Sequence, residues 1–201
     1  MKERLKFLKL LNEFRTLDYE LKYVKEVLKD GHLEFEEYYR QYCAENDIDL
    51  AELNKTNQKK VEAVFQRTEA AELSTQVIQK LEKDKRDFKR LFREIAKKLH
   101  PDKYSDDDPK KWEYSEAFKK ATAANTEGRW GEMFDIVDKY EIWVSDYEEA
   151  IESLREDIAR VHKDLKREKS TYSWLLQEAE SEQQKEGVVK GFLRQMFGWK
   201  G

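Results

Sequence analysis

No glycine lies between Gly31 and Gly128, and the only prolines of the 201-residue chain, Pro101 and Pro109, stand close together near its middle. Glycine and proline supply most of the tight turns that a sheet needs. A stretch of this length without glycine excludes a sheet-rich fold and leaves long helices. Composition agrees. Charged residues make up 41% and apolar residues 39%, against about 25% and 45–50% in an ordinary globular domain. Such a chain is too polar for one thick core, yet its 12% aromatic residues are too many for a disordered one. The expected class is all-α.

Other classes fall away on simple grounds. A lone cysteine, Cys43, makes neither an internal disulfide nor a thiolate metal cluster, and its aromatic neighbours mark it as core. No apolar run approaches the ~20 residues of a membrane-spanning helix. The start, Met1 to Lys6, lacks a secretory apolar region. A net charge of -4 argues against a nucleic-acid binder, which is basic overall or along one stripe. A cytoplasmic location is the default expectation.

Periodicity then places the helices. Phe7, Leu10, Phe14, Leu17, Leu21, Val24 and Leu28 follow steps of three and four and share one helical stripe. Asp30-Gly31 reads as its stop. A shorter helix is expected over 34–45, with Phe35, Tyr38, Tyr39 and Tyr42 on one side. A turn follows at Asn46-Asp47-Ile48-Asp49, and Asp49 with Glu52 forms a candidate capping box. From Asp49 to Leu99 one heptad register runs through Leu50, Leu53, Val64, Ala71, Ile78, Leu81, Phe88, Phe92, Ile95 and Leu99. Unbroken, that helix would be ~75 Å long.

His100-Pro101 ends it, because the residue before proline is pushed out of the helical region. A loop over 101–109 leads to a helix with Asp108 as N-cap and Pro109 in its first turn, stopping at Glu127-Gly128. A short helix over 130–142 buries Trp130, Phe134 and Val137. Ser145 or Asp146 caps a last long helix whose heptad runs through Tyr147, Ile151, Leu154, Ile158, Val161, Leu165, Tyr172, Leu175 and Ala179. The expected organisation is an N-terminal helical arm over 1–82, a compact helical unit over 83–142, a C-terminal coiled-coil helix over 143–186 and an apolar tail over 187–201. The arms would pair antiparallel or self-associate with another copy through their coiled coils.

The tail carries Val188, Val189, Phe192, Leu193, Met196, Phe197 and Trp199, with Lys190, Arg194 and Lys200 between them. This is the pattern of an interfacial membrane helix, but its cations are sparse. Folding back onto a core or into a partner's groove is the preferred reading. Asp106-Asp107-Asp108 lacks the alternating ligand spacing of a calcium loop, and His32 and His162 have no partners at metal spacing. No Gly-rich phosphate loop or nucleophile elbow occurs. Neither a metal nor a cofactor is expected, and the chain reads as a non-enzyme.

One stretch is far more informative than the rest. From Phe88 the sequence runs Phe-Lys-Arg-Leu-Phe-Arg-Glu-Ile-Ala-Lys-Lys-Leu to His100-Pro101-Asp102-Lys103: an amphipathic basic helix ending in His-Pro-Asp. Phe118 and Ala124 follow in the next helix, six apart. This resembles the J-domain (DnaJ-like) co-chaperone family, in which helix II ends in a His-Pro-Asp loop and helix III packs back on it. The resemblance covers about residues 85–142. It implies an atypical J-domain-like hairpin between coiled-coil extensions, and as partner a DnaK-class heat-shock chaperone. The cations Lys89, Arg93, Lys97 and Lys98, with Phe92 beside them, would dock on that partner's acidic surface. His100, Pro101, Asp102 and Lys103 would reach its interdomain region and stimulate ATP hydrolysis there.

The family's short helix I is missing, since Gln-Lys-Leu-Glu-Lys-Asp precedes the basic helix and continues a heptad. The expected substitute is the last long helix, Tyr147 to Leu165, packed beside the helix that ends at Leu99. No Gly/Phe-rich linker or cysteine zinc repeat is present, so delivery of an unknown client through the arms is expected rather than direct holding. The alternative is a scaffold that keeps a J-like hairpin without chaperone coupling. A peripheral membrane-associated interaction protein is a weaker third.

Overall fold

The computed structural model describes residues 1–53, 55, 87 and 89–200. Every regular element among them is helical, and no helix among them is long and apolar enough to cross a membrane. The chain divides into two compact units, Met1–Tyr19 with Glu72–His162, and Glu20–Ala71 with Lys163–Gly201. The middle of the long heptad, including Val64, Ala71, Ile78, Leu81 and Phe88, lies outside the described residues.

Helix α1, Lys2–Glu45, contributes to both units. The expected stop at Gly31 is corrected: the helix runs straight through it. Phe7, Phe14, Leu21, Leu28, Phe35 and Tyr42 are all buried and recur every seven residues, and Gly31 sits on the companion stripe with Val24. One glycine costs a helix only about 1 kcal/mol, far less than burying that aromatic and aliphatic seam gains. Helix α1 ends where Asp47 turns to a positive φ of 55°. Asp49 then caps the next helical turn, its Oδ1 accepting from the amides of Ala51 and Glu52 at 2.8 and 3.2 Å.

In the first unit the basic helix is described over residues 89–99, here α2. A 3-10 turn, Pro101–Lys103, follows, then α3, Lys111–Glu127, α4, Trp130–Lys139, and α5, which starts at Tyr147 and ends at Lys169. The start of α3 differs from expectation by two residues. Lys110 holds the N-cap position, and Asp108 caps from outside by accepting the Lys110 amide at 2.8 Å. Gly128 closes α3 in the left-handed conformation, φ 67°, as its sequence position requires. Asp146 caps α5 through the Glu148 and Glu149 amides at 2.9 and 3.1 Å.

The core of this unit reaches beyond residues 83–142. Phe7 of α1 packs edge-on against Phe134 at 5.2 Å and Tyr147 at 5.5 Å, and Arg15 bonds Asp135 and Asp138 of α4 at 2.6 and 2.8 Å. The described start of the expected 1–82 arm is therefore part of this core. Short helices such as α4 cannot bury their own apolar faces, and the α1 seam does it for them.

The second unit corrects the single helix expected over 143–186. Helix α5 stops at Lys169, α6 spans Tyr172–Gln177 and α7 spans Glu182–Phe197. The break is made without glycine or proline. The Ser170 hydroxyl donates to Arg167 O at 2.7 Å and the Thr171 hydroxyl to Glu168 O at 2.7 Å, while Thr171 Oγ1 caps the Trp174 amide at 3.3 Å. Such local side-chain bonds compete with the helix ladder. The heptad shifts as a result: Leu175 is exposed, and Trp174 and Leu176 are buried. The apolar tail lies in α7 from Gly187 to the helix end at Phe197 and runs on past it. Val189 and Leu193 are fully buried with Phe35, Tyr42, Cys43 and Leu176.

Candidate functional site

An α-helix leaves its last four carbonyls without internal partners, and the loop after α2 supplies donors to three of them. The His100 amide donates to Ala96 O at 3.1 Å, the Lys103 ammonium to Lys97 O, and the Tyr104 hydroxyl to Lys98 O at 2.5 Å. Pro101 has no amide to lose at the first position of the 3-10 turn, which closes through Lys103 N to His100 O and Tyr104 N to Pro101 O, both 3.1 Å. His-Pro-Asp-Lys-Tyr thus caps the end of α2 with its own groups.

The His100 ring is fixed from two sides. It sits edge-on to Phe118 at 4.9 Å, and Phe118 stacks in turn on Phe92 at 5.6 Å. Its Nδ1 accepts from the Asp102 amide at 3.3 Å and lies 3.6 Å from Asp102 Oδ2. With Nδ1 accepting, the neutral ring carries its proton on Nε2. The Asp102 side chain is 86% exposed, so the turn presents a carboxylate to solvent on a braced backbone.

The expected cations are brought together unequally. Lys89, Arg93 and Lys97 lie four apart on α2 and are all exposed. Lys97 is paired with Glu94 at 2.6 Å, whereas neither Lys89 nor Arg93 has an ion pair among the described residues. Lys98 stands apart: its ammonium donates to Tyr140 O and, at 3.5 Å, to Glu141 O. It is a C-cap for α4, where a cation also meets the negative end of the helix dipole. Phe92 is half-buried against Phe118, so its first role is packing.

Pattern reasoning missed the aromatic brace behind the loop. Tyr104 meets Tyr114, and Tyr114 meets Tyr140, edge to face at 4.8 and 5.5 Å. The Tyr140 hydroxyl donates to Glu113 at 2.9 Å, and Lys139 pairs with the same carboxylate at 3.0 Å. The hydrogen bond to Glu113 pushes the Lys139 ammonium up to about 12, and Lys139 and Tyr140 together hold the Glu113 carboxyl below its usual range. The three tyrosines were visible in the sequence, but their spacing fits no single helix. Only the return of α3 and α4 joins them.

Lys98→Met keeps the aliphatic stem and removes the cap. It is expected to cost about 1 kcal/mol of stability in chemical denaturation, the scale of a charge-assisted hydrogen bond discounted for partial exposure. An unchanged midpoint would return Lys98 to the solvent-facing set.

No protein-family model, curated protein or solved structure matches the chain.

Proposed function

We propose that the chain is an atypical J-domain co-chaperone or adaptor, which stimulates ATP hydrolysis by a DnaK-class chaperone through His100-Pro101-Asp102. One observation carries the reading: a solvent-exposed Asp102 on a turn braced by Phe118 and Tyr104, at the end of a helix with an exposed Lys89, Arg93, Lys97 stripe. A recognition loop needs a rigid base and an accessible charge, and this loop has both. In this reading α2 and α3 stand for helices II and III. The N-terminal turns of α1, with α4 and α5, take over the packing role of the absent helix I. The chain itself does no covalent chemistry. It works in the cytoplasm and hands on a client that its sequence leaves unnamed.

The scaffold alternative draws on a different observation. The Lys98 and Lys103 ammoniums are occupied by backbone carbonyls and Lys97 by Glu94, which leaves a thin cationic face for docking. A single-turnover ATPase assay with the chaperone separates the two. His100→Gln is expected to remove the stimulation while costing about 1 kcal/mol of stability, because the ring is only half-buried and loses one aromatic contact. Arg93→Ala is expected to weaken chaperone binding and flatten its salt dependence. Stimulation that survives His100→Gln would sink the co-chaperone reading. A wild-type chain without stimulation would favour the scaffold.

A further inference from the structure

Between the 3-10 turn and α3 the chain runs Tyr104-Ser105-Asp106-Asp107-Asp108. Ser105 is exposed and outside any helix, and Tyr104 before it is extended, with φ -119° and ψ 134°. The Ser105 hydroxyl makes no hydrogen bond among the described residues, and its carbonyl accepts the Asp108 amide at 3.1 Å. Asp106 pairs with the Lys111 ammonium at 2.5 Å, and Asp108 accepts the Lys110 amide at 2.8 Å. These bonds reach no further than the first residue of α3. Exposed local pairs hold weakly, so the segment can open without disturbing the core.

The acids do not converge on a cation: among the described residues no group of three His, Cys, Asp or Glu side chains could hold a metal. What the segment offers is a free hydroxyl with carboxylates at the next three positions. A kinase with a cationic substrate groove selects that arrangement, because such enzymes read the charge pattern around the acceptor. Other hydroxyls are less suited. Thr16, Thr122 and Thr126 donate to carbonyls of their own helices at 2.9–3.0 Å. Ser145 also precedes acids, but it already accepts from Arg90 at 2.5 Å.

We propose that Ser105 is a phosphoacceptor for an acid-directed serine/threonine kinase. Its Oγ attacks the γ-phosphorus of ATP and gives its proton to the kinase's catalytic aspartate. The Oγ–P bond forms, the bond from the γ-phosphorus to the β–γ bridging oxygen breaks, and ADP leaves. The phosphate adds a charge of about -1.5 to -2 at neutral pH, three residues from Asp102. A regulatory consequence rests on the co-chaperone reading: the added charge opposes docking of the Lys89, Arg93, Lys97 stripe on an acidic partner.

The test incubates the full chain with ATP and a purified kinase of this class, and maps phosphate by intact and tandem mass spectrometry. One phosphate at Ser105 is expected, and none there in Ser105→Ala. Asp107→Asn combined with Asp108→Asn, which keeps an acceptor oxygen for the Lys110 amide, is expected to slow the transfer about tenfold, as the loss of one charge-assisted contact does. No phosphate at Ser105, or an unchanged rate in the double variant, would overturn the site. The phosphorylated chain is then expected to stimulate the DnaK-class ATPase less than the untreated chain, and kinase-treated Ser105→Ala as well as before. Equal stimulation with and without the phosphate would overturn the regulatory step. An untreated chain without stimulation would sink the co-chaperone reading and that step together, while the mapping decides Ser105 separately.

Discussion

Phe134→Ala is expected to remove about 3–5 kcal/mol of stability, a large share of the 5–15 kcal/mol that holds a typical domain together. Phe134, on α4, is 2% exposed. It packs edge-on to Phe7 of α1 and stacks on Trp130 at 5.5 Å. Truncation leaves a cavity that the rigid helices around it cannot collapse into. The neighbouring Gly131 gives a sharper test of the same junction. A Cβ at residue 131 would lie 2.4 Å from the Phe14 ring, closer than real contacts allow, and Phe14 is itself buried. Gly131→Ala normally strengthens a helix by up to about 1 kcal/mol. Here it is expected to destabilise by about 1–3 kcal/mol, as overpacking does. Adding Phe14→Leu makes room, so the double variant should be less damaged than the two single losses predict. Strict additivity in denaturant melts would show that the two sites do not touch.

That junction marks where sequence reading stops working. Local grammar was legible: Asp49 and Asp146 cap helices, Gly128 ends one, and the α1 seam is buried at Phe7, Phe14, Leu21, Val24 and Leu28. Two local signals misled. Gly31 looked like a stop, although Phe35 and Tyr42 continue the heptad across it. The heptad through Leu165 and Tyr172 looked continuous, although the Ser170 and Thr171 hydroxyls between them compete for the backbone. Residues that join distant segments gave no signal in any window. Lys98 caps a helix forty-two residues onward, and Tyr104 meets Tyr140 only through Tyr114. The site divides in the same way. The order His100-Pro101-Asp102 located the loop, and the basic helix located its cations. Which ammoniums are occupied by carbonyls depends on the fold and could be read only from it.

The other large effect is expected at Asp157, a buried acid inside the otherwise apolar stripe of α5. Its side chain is 4% exposed. Its Oδ2 accepts from the Gly131 amide at 2.7 Å, and Oδ1 pairs with Arg160 at 2.9 Å. Gly131 lies in the first turn of α4, whose own N-cap, Arg129, offers no side-chain bond. Asp157 therefore caps α4 from a neighbouring helix, with its charge at the positive end of the helix dipole. Asp157→Ala strands a buried amide and is expected to cost about 1–3 kcal/mol. Asp157→Asn keeps an acceptor oxygen and should lose less. The pH dependence follows from burial, which pushes the Asp157 carboxyl above its ordinary value against the pull of the Gly131 amide and Arg160. In the window above the ordinary aspartate value of about 3.9 the folded chain holds a proton that the unfolded chain has released. The contribution of this group to stability is thus full below that window and declines as pH rises through the folded value. Wild type should gain on Asp157→Asn as pH falls through the window. Parallel stability profiles for the two proteins from neutral to acid pH would show that the carboxyl titrates as it does in the unfolded chain.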